Sequence, residues 1–597
     1  MHMTICYRKI VILGLASLYF FLGQTLNAEI SLPEKQSDSI AKTEKGVEIP
    51  IGYGEGLPVS YVYVHLLQST GDSAKDEQLR HQLSQMLGFR PGDPFRTIIA
   101  DAGLRHLMEL PTVGTVKYRL YQSEPPGRVI VALLVEPTPE GPEERKRPGG
   151  MFVSGKPQDF PKLYESDSTL LTLILNGGIG AYSDIHPWFG KGKIFNRGNP
   201  AAEKPAGPGT TTLMEAYIEP GLGGITRLGD TPFYPYGAAT YMITWSSGHD
   251  IYTPGSRTWG DFERAYGGFL YDLPGKKTSI NVSYGRQDYQ LRDGFLISTI
   301  PGSNDLAHRG ALNLGPRNAY NRAGIGRIKV HNFSFEGILL EPDELRATKT
   351  NTRLLGANLQ YNFSKGIEAA FSYLYVPRSD KSYFIPGGAK QSREGLRVFN
   401  PALTINTLFG LEGLWIKGEY AYQNNEDFDM SASAYYGWVG YRMEKWPWRP
   451  GLSYRYAFFS GDDPTTKTYE RFDNLFSGRS NFFLPGLISS KVITNSNLRT
   501  HRATFSVFPK ETVEILLEYF NHSAQRLNNL GGIGPLQTLT SKNLIQEWQL
   551  NVFWFIGKNW YFQGIATAGI PGKSIDRALG GGAKNWYELQ ASLYMFF

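Results

Sequence analysis

From Trp586 to Phe597 the chain alternates without a break. Tyr587, Leu589, Ala591, Leu593, Met595 and Phe597 fall on one face, and Trp586, Glu588, Gln590, Ser592, Tyr594 and Phe596 on the other. Side chains in a strand point to opposite faces with period two, so one face here is apolar and the other mostly polar. A soluble sheet edge can read the same way, but it rarely ends a chain on an exposed Phe. A strand with lipid outside and water inside wants this arrangement, with aromatics near its ends.

The rest of the chain agrees with a transmembrane barrel. Its 597 residues are too many for one compact domain and suit a barrel plus a small soluble module. Mean hydropathy is −0.30, as expected where only alternate strand residues meet lipid and the loops are polar. After the leader, no stretch is apolar for long enough to form a spanning helix. Gly 67, Tyr 35, Phe 34 and Trp 11 point to many strands, tight turns and interfacial aromatics. A net charge of +6 gives no nucleic-acid footprint. Cys6 is the single cysteine and precedes the apolar run of the leader, which excludes a disulfide framework, a cysteine metal site and a cysteine nucleophile.

Arg8 and Lys9 followed by the apolar run Ile10 to Leu22, with Ala28 as a small residue before cleavage, read as a secretory signal peptide over 1–28. Residues 29–58 are expected as a flexible leader. Val59 to Leu66 reads as a strand, Ala74 to Leu87 and the stretch to Leu110 as helices, and Val113 to Tyr121 with Arg128 to Val135 as a hairpin. Over 59–136 this order resembles a POTRA domain, a periplasmic module of outer-membrane transporters; the turn FRPGDPF at Phe89 to Phe95 and the LRHLMELPTV that follows carry the likeness. Pro137 to Pro148 opens a linker, expected over 137–168.

From residue 169 to 597, strand-like runs are joined by connections of two kinds. Short turns such as Leu273–Lys276, His331-Asn332, Lys445–Trp448 and Pro509–Glu511 alternate with long Gly- and Pro-rich loops such as Tyr289–Pro316, Pro377–Arg397 and Asp462–Leu498. One irregularity is a longer early turn, expected after Glu219. Bacterial barrels keep short turns inside and long loops outside, and about eighteen strands, an even number, return both ends to the periplasm. The fold expected is an all-β transmembrane barrel with a small N-terminal α+β module. The terminal Phe597 is similar to the insertion signal of bacterial outer-membrane barrels, which implies the barrel assembly machinery and outer-membrane lipid as partners.

Within the barrel the sequence resembles the alginate export family of outer-membrane proteins. The stretches that carry the resemblance are YGRQDYQLRDGFL at Tyr284 to Leu296, WRPGLSYRYAFFSGDD at Trp448 to Asp463, and YERFDNLF at Tyr469 to Phe476. The resemblance implies a large barrel with an arginine-rich lumen that passes an anionic polysaccharide outward, with Arg286, Arg292 and Arg455 on matching positions. The module in front departs from that family's pattern, and with it a periplasmic scaffold protein enters as a partner.

Alternation adds further inward residues. Leu452, Tyr454, Tyr456 and Phe458 face out, leaving Arg455 in the lumen; Ala503, Phe505 and Val507 face out, leaving Arg502 inside. Arg327, Lys329 and Lys417 face in by the same argument, and Arg264 with them. Arg286 shares parity with the lipid-facing Ile280, Val282 and Tyr284, so either Gly285 hosts a bulge or Arg286 lies at the rim. Glu514, Glu518, Glu547 and Glu588 also face in. Two readings stand: the charges pair across strands and fill a wet interior, or they form a basic stripe that sets selectivity.

Asp462, Asp463 and Asp473 suit a hard cation, yet Ser460 to Pro464 is ordinary turn chemistry, so no metal and no cofactor are expected. The passive export pore competes with three other classes. A protein-secretion or assembly barrel would carry a Val/Ile-Arg-Gly-Phe/Tyr motif, which Leu291–Phe295 and His308–Ala311 both miss. An outer-membrane enzyme would need a Gly-x-Ser-x-Gly elbow or clustered histidines, and neither is present. A general porin usually lacks a soluble N-terminal module.

Overall fold

A computed structural model of the chain describes residues 47–137 and 162–597, apart from 196–208, 274–277, 299–308, 386–389, 478–482 and isolated positions. The expected signal peptide, the leader up to residue 46 and most of the linker lie outside the described residues.

The N-terminal module begins earlier than its sequence suggests. It runs β1 (Glu48–Ile49), α1 (Ile51–Gly54), β2 (Val59–Leu66), α2 (Ser73–Met86), α3 (Thr97–Met108), β3 (Val113–Gln122) and β4 (Val129–Pro137). The sheet order is β1-β3-β4-β2, with β2 parallel to β4 and the other pairs antiparallel. The central strand β4 is buried along Val129–Val135, which explains its unbroken apolar run. Asp72 caps α2 by accepting the backbone N–H of Ala74 at 2.9 Å. The expected leader over 29–58 is therefore corrected from Val47 onward. Val47, Ile49 and Ile51 are buried in the module core, but a run this short, interrupted by Pro50, shows no readable period. Likewise the expected linker over 137–168 contains a short strand, Lys162–Glu165, paired with Leu170–Thr172.

Eighteen antiparallel strands among the described residues close the barrel wall, from Thr169–Ile185 to Trp586–Phe596. The seam pairs the last strand with the first, Tyr587 opposite Ile185 through Phe596 opposite Asn176. Leu175 and Phe597 exchange both backbone hydrogen bonds there at 2.9 Å. Closure leaves no strand edge in lipid, where unpaired N–H and C=O groups are costly. The early turn lies at Arg227–Pro232 rather than after Glu219. Pro220 sits inside the strand Thr210–Thr226, where the ladder to the next strand passes from Ile218 to Gly221. A residue without an N–H is tolerated at such an interruption.

The module sits at the short-turn end of the barrel. Tyr53 of α1 packs edge-on against Phe555 and Tyr561, with ring centroids 5.5 and 5.1 Å away. Gly52 allows this approach, because a Cβ there would lie 2.3 Å from the Phe596 Cβ. The module and the short turns thus share one end of the barrel.

Candidate functional site

Period two decides which side chains reach the lumen. On the strand Gly451–Phe459, Leu452 and Tyr454 are 52% and 46% exposed on the outer surface, whereas Arg455 is 2% exposed inside. Seventeen residues of the strand Thr210–Thr226 work the same way: Met214 and Ile218 face out, and Glu215 and Glu219 are buried within. Charged wall residues of this kind need partners, since an unpaired buried charge is strongly unfavourable.

Two loops from the long-loop end fold into the barrel and supply them. The first follows Gln287, and its family-like stretch crosses the lumen. Arg292, in a left-handed conformation (φ 49°), reaches Glu419 at 2.7 Å, Ser372 at 2.6 Å and Asn358 at 2.9 Å, with Asn400 beside them. Asp293 next to it is held by Lys417 at 2.9 Å and lies 3.7 Å from Arg128 of the module. The second loop contains Tyr469–Phe476 and meets the first in a parallel bridge between Ile297 and Phe476. Two of the three stretches that carry the family resemblance therefore meet inside the barrel, while the third forms the wall strand Gly451–Phe459 and its flanks.

Wall glutamates clamp these loops by their backbones. Glu215 accepts the N–H groups of Leu312, Asn313 and Leu314 at 2.7, 2.8 and 3.2 Å. Glu263 accepts those of Asn318 and Ala319, and Glu547 those of Ile488 and Ser489. Carboxylates that accept several N–H groups make strong, charge-assisted bonds. Of these three, Glu547 was expected to face in. Glu215 was readable from the alternation of Met214, Ala216 and Ile218, while Glu263 follows a register shift at Thr240/Tyr241 that breaks the period.

The loops fill one side of the lumen and leave a cavity of about 980 Å³ along the strands on either side of the seam. Glu55, Arg96 and Thr97 of the module border one end, and Tyr252, Asn495 and Ile533 of the outer loops border the other. Its charged lining is Arg96, Arg264, Arg327 and Lys491 against Glu55, Glu219 and Asp288, set among Asn176, Asn313, Asn318, Gln563 and Gln590 and the rings of Tyr217, Tyr266, Tyr561 and Tyr594.

Of the eight basic residues expected to line the pore, Arg264 and Arg327 border this cavity. Arg264 pairs with Glu219 at 2.5 Å and Asp288 at 2.8 Å, and Arg327 with Glu336. The other six face partners away from it. Arg502 donates to Glu518 at 2.9 Å. Arg455 lies opposite Arg502 in the ladder, and the two guanidiniums share the ring of Trp438 at 5.6 and 5.7 Å, a cation–π arrangement that offsets their repulsion. Lys329 pairs with Asp93 of the module, while Lys417 and Arg292 hold the inward loop. Arg286 lies at the rim, where Gly285 (φ 135°) bends the strand and the ladder slips one residue before Gln287; its guanidinium reaches Asp343 at 2.8 Å. Arg96 and Lys491 escape a strand-based reading because one belongs to the module and the other to an inward loop.

The three aspartates considered for a metal diverge. Asp462 accepts the backbone N–H of Glu470 at 3.0 Å, Asp463 that of Thr465 at 3.0 Å, and Asp473 is bound by Arg393 at 2.6 Å. At the rim, Asp343 gathers Arg286, Arg309 and Arg317. Burial raises its affinity for a proton, but the three guanidiniums outweigh burial and hold its pKa at about 2. A depressed carboxylate contributes stability above its unfolded value and loses it as pH falls through the folded one. The rim should therefore stay closed at pH 4 and loosen only toward pH 2; limited proteolysis with an acid protease across that range checks this.

A closed barrel whose partly filled lumen keeps such a cavity has the architecture of an outer-membrane pore. The family model for alginate export matches residues 257–566, just over half of the chain. This protein belongs to the alginate export family. No curated protein matches the sequence significantly. Among solved structures, Pseudomonas aeruginosa OccK7 (OpdD) is similar at 10% identity over 72% of this chain and 98% of its own, with a TM-score of 0.41. The outer membrane protein OprD from the same organism is similar at 8% identity over 71% and 93%, TM-score 0.41. Salmonella typhi OmpF in complex with daunomycin follows at 11% identity over 73% and 100%, TM-score 0.35. The barrel assignment rests on the strand pairing itself.

Proposed function

We propose that this outer-membrane pore passively exports an acidic, alginate-like polysaccharide from the periplasm, and that its N-terminal module is a POTRA-like domain open to a periplasmic scaffold protein. The observation that carries the reading is the conduit beside the seam in a member of the alginate export family. Arg96, Arg264, Arg327 and Lys491 occur along it, each near a carboxylate, and between them lie amides and aromatic faces. Guanidinium suits carboxylates because it can bind them bidentately and keeps its charge. A cation already neighboured by a carboxylate attracts a passing uronate without trapping it, as transit through weak, repeated sites requires.

Planar-bilayer recordings test this. The wild-type pore should be blocked by polyuronate from the periplasmic side, and Arg264→Gln with Arg327→Gln should reduce both the block and anion permeability. A wild-type pore that prefers cations and ignores polyuronate would end the polyanion reading and leave a general porin.

A further inference from the structure

We infer that the N-terminal module forms part of the conduit wall, and that its Arg96 is a selectivity-determining residue at the periplasmic mouth; this rests on the pore reading above. The cavity is bounded on one side by the module residues Glu55, Leu57, Pro94, Arg96 and Thr97, and across from them by the barrel's Arg264 and Tyr266. A permeating chain therefore passes between the two folds rather than through a bare barrel.

Arg96 is fixed at that junction. It begins the turn into α3, and one Nη donates to the backbone oxygen of Asp288 on the inward loop at 3.3 Å. The other Nη stands 3.7 Å from Glu55, close enough for attraction and too far for a direct hydrogen bond. Glu55 is itself held in place, accepting the backbone N–H of Thr97 at 2.9 Å and its hydroxyl at 2.8 Å. The carboxylate of Asp288 is bound by Arg264 at 2.8 and 3.0 Å. The Arg96 side chain is 14% exposed, and on the module it is the cation that borders the cavity among the described residues. Arg119, by contrast, pairs with Glu48 off the cavity.

Three full-length variants measured by reversal potential in planar bilayers test the assignment. Removing one partly screened charge at close range should change the anion-to-cation permeability ratio by about two- to fivefold. Arg96→Gln should shift it toward cations, Glu55→Gln toward anions, and Arg119→Gln should leave it unchanged. A module that merely came loose would shift the first two in the same direction, and that result would overturn the assignment. If Arg264→Gln alters selectivity while Arg96→Gln does not, the module is no part of the conduit wall and the pore reading survives. If the wild-type barrel inserts but passes no ions, both fall together.

Discussion

Glu215→Ala should release the first inward loop and enlarge the pore. The Glu215 carboxylate is fully buried and accepts three consecutive backbone N–H groups from that loop, as well as the hydroxyl of Ser246 at 3.2 Å. Each buried donor left without a partner costs about 1–3 kcal/mol. Leu314 is buried and Leu312 and Asn313 are part-buried, so the three together come to about 3 kcal/mol, which shifts the docked-to-released balance of the loop by about a hundredfold. The expected result is a higher single-channel conductance with frequent large openings, in a barrel that still migrates as folded on heat-modifiability gels. Glu215→Gln keeps one acceptor oxygen and should lie between the two. Wild-type conductance in Glu215→Ala would show that the loop is held by its apolar packing instead.

Arg128→Ala should free the module from the short-turn end of the barrel. Arg128 is 2% exposed, and it donates to Glu368 on the wall at 3.1 Å while standing 3.7 Å from Asp293 on the inward loop. It thus ties module, wall and loop at one point. Asp293 is raised in pKa by burial, but Lys417 and Arg128 overcome this and hold it ionised. Deleting one member of such a buried group costs about 3–5 kcal/mol, because the carboxylates left behind have lost both water and partner. The neighbouring tie, Arg442 to Glu124 at 2.5 Å, is more exposed to water and contributes less. Protease cleavage within the module, with the barrel intact, should rise in Arg128→Ala. It should return toward wild type when Glu368→Leu removes the stranded carboxylate, since an apolar replacement of a buried ion pair is often neutral. If the two variants are equally resistant, docking depends on the aromatic contacts of Tyr53.

Strand count, facing and closure were legible because each depends on a period of two that local sequence carries. The inward positions of Arg455, Arg502, Arg327 and Lys417 follow from the outward apolar residues at alternate positions of their strands, Tyr454, Phe505, Ile328 and Tyr420 among them. Reading failed where the period was broken or too short. Gly285 and the register shift at Thr240/Tyr241 re-aim Arg286 and Glu263. Val47 to Ile51 contribute too few residues to show an alternation, although all three apolar members are buried.

What the sequence determined by itself is the barrel and the facing of wall positions wherever the alternation is unbroken, since lipid outside and water inside impose opposite demands on alternate residues. Which inward charges border the conduit was decided by tertiary structure alone. Arg292 and Asp293 meet partners on distant strands only because an outer loop folds through the lumen, and Lys329 meets Asp93 only because the module docks beneath. An inward side chain is equally compatible with a conduit and with a packed interior. The difference lies in what stands opposite it, and residues hundreds of positions apart settle that when the loops come to rest inside the wall and the module docks beneath it.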